Sequence, residues 1–224
     1  MYRRGFTLSV STRKNINTIN KGIISMTKFV TPKGIAVWPK LNAPDYKFNV
    51  DGVYQTTLKI EASESQDLIK QLEGLRDAYR NEEAKSNPKV AKYDLAPVYE
   101  EEEDDQGNLT GFNLFKFKQN AKITTSRGVM AMKVALYDSN KTPTHATVTG
   151  GSTIRVAASA YTYAMPSTRR VGVSLRPSAI QIIQLAQGSG GSEALSMFDK
   201  EDGFIADNFD NSVEAVAVND DADF

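Results

Sequence analysis

Apolar and polar positions alternate along much of the chain with the two-residue period of strands. Ile35 to Trp38 is a short apolar run, and between Val53 and Ile60 the residues Tyr54, Thr56, Leu58 and Ile60 fall on one face. The period then changes to that of a helix. Ser63 and Gln66 have the spacing of a capping box, Leu68, Leu72, Leu75 and Tyr79 recur on one side, and Asn87-Pro88 ends the run. Residues 93 to 111 read as a long solvated loop, because Glu100 to Asp105 are consecutive acids that repel one another. Consecutive carboxylates on a flexible loop do not converge on a metal as separated ligands do.

The second half is strand-rich. Phe115, Phe117, Ala121 and Ile123 share one side of an extended segment, while Lys116, Lys118, Asn120 and Lys122 share the other. The next strand repeats this, with Met130, Met132, Val134 and Leu136 in register and Lys133 and Tyr137 opposite; the methionines are expected as core filling. Gly150-Gly151 supplies a turn. From Thr153 to Tyr163, Ile154, Val156, Ala158 and Ala160 face one way and Arg155, Ser159, Tyr161 and Tyr163 the other. A further strand points Val171, Val173 and Leu175 inward, with Arg170 and Arg176 on the opposite parity and Arg169 just before them. About five antiparallel strands with one inserted α-helix predict a mainly β protein, an OB-fold barrel, with a sandwich as the alternative.

Charge changes the picture. The chain carries 27 basic and 27 acidic residues and no cysteine, which excludes a disulfide scaffold, a thiolate zinc site and a cysteine nucleophile. Neutrality hides an asymmetry: residues 193 to 224 hold ten acids against Lys200 alone, a net −9, so the rest of the chain is +9. Such a distribution points to a polyanion-binding body with an acidic interaction tail. Residues 1–27 are expected to be a flexible basic extension or a reading frame begun ahead of a start at Met26, in preference to a transit peptide, whose composition they share. Residues 28–187 form the predicted barrel, and 188–224 a flexible linker and disordered acidic tail.

Catalytic chemistry finds few residues to carry it. His145 stands in a Lys-Thr-Pro-Thr turn with no nucleophile or orienting carboxylate nearby in sequence. No glycine-rich phosphate loop followed by Lys-Ser or Lys-Thr occurs. A metal nuclease needs gathered carboxylates, yet residues 106 to 192 contain ten basic residues and one acid, Asp138. We therefore expect a protein that is not an enzyme and takes no cofactor or metal. That same segment suits single-stranded nucleic acid, whose binders combine cations for phosphates with exposed rings on which bases stack. The candidate DNA-binding residues are Tyr161, Tyr163, Arg155, Lys116, Lys118, Lys122, Lys133, Tyr137, Arg169 and Arg170. The alternative for the tyrosines is that they cover a second small core. In the tail, Asp220, Asp221, Asp223 and Phe224 are the candidate partner-binding residues.

Several short motifs, in order, carry a resemblance: Ala43-Pro44-Asp45-Tyr46, Gly52-Val53-Tyr54, Phe115-Lys116-Phe117-Lys118, Gly150-Gly151-Ser152, Tyr161-Thr162-Tyr163 and the terminal Ala222-Asp223-Phe224. Over residues 28 to 187 and the extreme C-terminus the chain resembles the single-stranded DNA-binding proteins of short-tailed, podovirus-type bacteriophages. The resemblance implies an OB-fold, action in phage DNA replication, recombination and repair in the cytoplasm of the infected bacterial host, and a homodimer. It also implies tail contacts with the replicative DNA polymerase and helicase-primase, and it matches Tyr161 and Tyr163 to base-stacking aromatics. The rival readings are a protein-interaction module of a virion or host-takeover system and an organellar single-strand binder.

Overall fold

Strand parity decides which side chains meet inside this protein, and the computed structural model, which describes residues 26–126 and 128–186, realises most of that parity. The elements are β1 (Met26–Val30), β2 (Gly34–Asp45), β3 (Val53–Glu61), α1 (Ala62–Ser86), a 3-10 turn (Pro88–Lys92), β4 (Asp94–Leu95), β5 (Glu100–Glu103) and β6 (Leu109–Asn120). They continue with β7 (Lys122–Thr125), β8 (Gly128–Ala131), β9 (Ala135–Tyr137), β10 (Thr153–Met165) and β11 (Arg170–Gln184). The first strand straddles the expected boundary between residues 27 and 28.

Five strands form a ring. β2 pairs β3, β3 pairs β6, β6 meets β11, β11 pairs β10, and β10 returns to β2 through Thr153 opposite Ile35. The junction of β6 with β11 is parallel; the others are antiparallel. This is the OB-fold barrel with one helix inserted between its second and third strands. Closing the ring removes the exposed edges that an open sheet would leave. Leu58, Ile60, Phe115, Phe117, Ile154, Val156 and Ile180 fill the interior, each at most 1% exposed. Leu68, Ile69 and Leu72 of α1 join the same core. Ser65 and Asn113 tie the helix to β6 by a buried hydrogen bond of 2.8 Å from Asn113 Nδ2 to Ser65 Oγ.

Three expectations are corrected. The capping box does not form, because β3 runs straight into α1 through Glu61 and leaves Ser63 already inside the first turn. Ser65 Oγ and Gln66 Nε2 instead donate to the Ala62 carbonyl at 3.0 and 2.9 Å. The acidic stretch is not wholly a loop: β5 pairs antiparallel with β6, Glu100 opposite Leu114 and Glu101 opposite Asn113. Its repulsion is offset by cations on the facing strands, with Lys116 Nζ 2.6 Å from Glu100 and Lys59 Nζ 2.6 Å from Glu102. Finally, the expected strand from Met130 to Leu136 is broken. β7 and β8 leave the barrel as a separate two-stranded hairpin, so Met130 is exposed, and only after Val134 turns into the core does β9 join β11.

Candidate nucleic-acid interface

β10 buries Ile154, Val156, Ala158, Ala160 and Thr162 and turns Arg155, Ser159, Tyr161 and Tyr163 outward, where they are half-buried. Its neighbour β11 presents Gly172, Ser174 and Arg176 on the same outer surface. Register then fixes who meets whom: Tyr163 lies opposite Gly172, Tyr161 opposite Ser174, and Ser159 opposite Arg176. The Arg176 guanidinium sits 4.2 Å from the centroid of the Tyr161 ring, a cation–π contact that orients both groups. At Gly172 the absence of a side chain is required, since a Cβ there would run into the Tyr163 hydroxyl and ring. Both rings are therefore braced against β11, each with part of its surface in solvent.

The cations continue around the barrel. Leu175 pairs with Phe117 in parallel register, which brings Lys116 and Lys118 level with Ser174 and Arg176. Lys118 lies opposite Gln55 of β3, and Gln55 opposite Lys40 of β2. Lys40, Gln55, Lys118 and Arg176 thus form one cross-strand row on the outside. Lys116 is exposed and held by Glu100; an exposed pair of this kind contributes at most about 1 kcal/mol, so a phosphate can replace the carboxylate. Arg169 and Arg170 stand at the end of β11 nearest Tyr163, Arg169 in the Pro166–Arg169 turn with φ 52° and Arg170 opposite Met165.

Other candidates lie elsewhere. Arg155 donates from Nε to the Thr31 carbonyl at 3.1 Å, and both it and Tyr137 flank Gln181, toward the end of β11 away from Tyr163. Lys122 starts the separate hairpin, and Lys133 is exposed in the segment between β8 and β9. The tail residues Asp220, Asp221, Asp223 and Phe224 lie outside the described residues. Sequence reading omitted Lys40, Lys59 and Arg176 from the candidate site. Arg176 carries the right parity, and pairing the two strands about the Pro166–Arg169 turn would have placed it beside Tyr161. Lys59, Lys33, Arg155 and Phe112 line a cleft of about 550 Å³, with Lys59 Nζ 4.3 Å from the Phe112 ring centroid. Hydrogen bonds from Lys59 and Thr110 hold the Glu102 carboxyl below its ordinary pKa, so this clasp persists until pH falls through that lowered value.

No protein-family model and no curated protein sequence matches the chain. Among solved structures it is similar to gp2.5, a single-stranded DNA-binding protein encoded by bacteriophage T7. The TM-score is 0.60 and the identity 22%, over 82% of this chain and 100% of that one. The single-stranded DNA-binding protein of bacteriophage Enc34 in complex with ssDNA aligns at a TM-score of 0.48 and 12% identity, over 80% of this chain and 100% of that one. The barrel described above is thus a fold shared with the T7 protein.

Proposed function

We propose that the protein binds single-stranded DNA with little regard to sequence and, without being an enzyme, protects exposed strands during phage DNA replication, recombination and repair in the infected bacterial host. The observation that carries this reading is the outer barrel face on which Tyr161 and Tyr163 are braced by Arg176 and Gly172 beside Lys118, Arg169 and Arg170. Stacking rings among cations give affinity to any base, because every base has a π-face and every nucleotide a phosphate. The shared fold with the T7 protein supports the same reading.

Tyr161→Ala and Tyr163→Ala are each expected to cost about 1–3 kcal/mol in affinity for fluorescent oligo-dT, with the thermal transition retained. The measurement is fluorescence anisotropy. If both variants bind like the wild type, the rings are cover for the strand beneath and the interface lies elsewhere.

The acidic tail supplies the partner side of the proposal. A −9 segment tethered to a +9 body competes with DNA for the cationic face at an effective concentration of order mM. Displaced by DNA, the tail offers Asp220, Asp221, Asp223 and Phe224 to the replicative DNA polymerase and helicase-primase, with the protein acting as a homodimer. Removing residues 193–224 is expected to raise DNA affinity at low salt and abolish polymerase recruitment. Deleting Phe224 alone is expected to abolish recruitment while leaving DNA affinity nearly unchanged. Equal polymerase pull-down by the full-length and Phe224-deleted proteins would show that bulk charge suffices.

A further inference from the structure

Trp38 is the sole tryptophan of the chain, and it is 84% exposed on a barrel strand. Its backbone is in the left-handed region, φ 48°, where a bulky residue is an outlier. The cause is a bulge. Val37 lies opposite Thr57 and Lys40 opposite Gln55, so Trp38 and Pro39 together oppose Thr56. The bulge serves the core, because Ala36 and Leu41, both buried, are five residues apart and an unbroken strand would send them to opposite faces. It does not require tryptophan. Glycine would take the positive φ without strain, and a residue preceding proline is further biased toward extended backbone. The barrel thus holds a large ring in a strained conformation and gains almost no burial from it. Strain of this kind at an exposed residue is a mark of function.

The surroundings say what the ring receives. Trp38 adjoins the row of Lys40, Gln55 and Lys118, with half-buried Thr57 alongside. An apolar protein surface laid here would desolvate the lysines without pairing them, and a second copy would bring lysine rows together. A nucleotide satisfies both needs, a π-face for the ring and phosphate for the ammonium groups. We propose that Trp38 is a base-stacking residue, turned outward by the bulge to hold an unpaired base whose flanking phosphates lie on Lys40 and Lys118. This rests on the reading of the protein as a single-strand binder and adds a contact on β2, beyond the tyrosine pair of β10.

Because no other tryptophan contributes, intrinsic emission reports on this ring alone. Titrating the full chain with oligo-dT should quench tryptophan emission in step with binding followed by anisotropy of a labelled oligo-dT. Trp38→Gly should lower affinity by about fivefold to a hundredfold with an unchanged or higher Tm, since glycine relieves the positive φ. Trp38→Phe should restore most of the affinity. A structural role for the ring would show instead as a lowered Tm. Tight oligo-dT binding with unaltered emission, and wild-type affinity in Trp38→Gly, would overturn this inference and leave the single-strand reading standing. Failure of the wild type to bind any oligonucleotide would overturn both. An emission shift that follows protein concentration without DNA would assign the ring to a contact between copies.

Discussion

Oligo-dT affinity is expected to fall by about a hundredfold between about 50 and about 200 mM salt. The estimate follows from counterion release, in which log K falls by about 0.7 per phosphate neutralised on a single strand for each decade of salt. Lys40, Lys118, Arg169, Arg170 and Arg176 can each meet one phosphate from the outer face, and residues 106 to 192 add only Asp138 in opposition. Five such contacts give a slope near −3.5, and a fourfold rise in salt then removes about two decades of affinity. Anisotropy titrations at four salt concentrations measure the slope directly. A flat dependence would mean that the rings bind without the cations, and strict preference for one duplex sequence would replace the proposal altogether.

Phe115→Ala is expected to destabilise the barrel by about 3–5 kcal/mol, the range for truncating a buried phenylalanine. Phe115 is fully buried at the middle of β6, opposite Leu58 of β3, with the Tyr99 ring centroid 6.1 Å away. Its neighbours belong to a closed ring of strands, which restricts how far they can move to fill the space. Urea denaturation followed by circular dichroism is the measurement. A loss under about 1 kcal/mol would show that the centre of the barrel collapses readily around a small residue. On the other parity of the same strand, Lys118→Ala should leave stability within about 0.5 kcal/mol, so the two substitutions separate core from face.

Parity carried most of what could be read in advance. Phe115 and Phe117 inward with Lys116 and Lys118 outward, and Ile154 and Val156 inward with Tyr161 and Tyr163 outward, follow from the pleat alone and stand in the structure. What escaped depends on contacts between segments distant in sequence. The acidic run paired into β5 because Lys59 and Lys116 face it, and neither lysine is near it in the chain. The capping box was undone by a strand that enters the helix without a break. Ile35 to Trp38 is legible as apolar, but the bulge that extrudes Trp38 is dictated by the need to bury both Ala36 and Leu41. Pro39 was the local signal, since proline inside a central strand is confined to edges and bulges.

The pairing of β1 with β10 has a practical consequence. Met26 lies opposite Tyr161, and the two strands run antiparallel, so the chain comes into the barrel at the level of the braced rings. An affinity handle or fluorescent fusion joined directly ahead of Met26 would be delivered to the proposed base platform. A basic handle such as polyhistidine at low pH would add cations there and flatter the measured affinity, whereas a bulky fusion would shade the rings. Comparison of tagged and cleaved protein therefore belongs in any titration of this molecule. Conversely, a short linker at this position offers a way to hold a chosen oligonucleotide, covalently attached, against Tyr161.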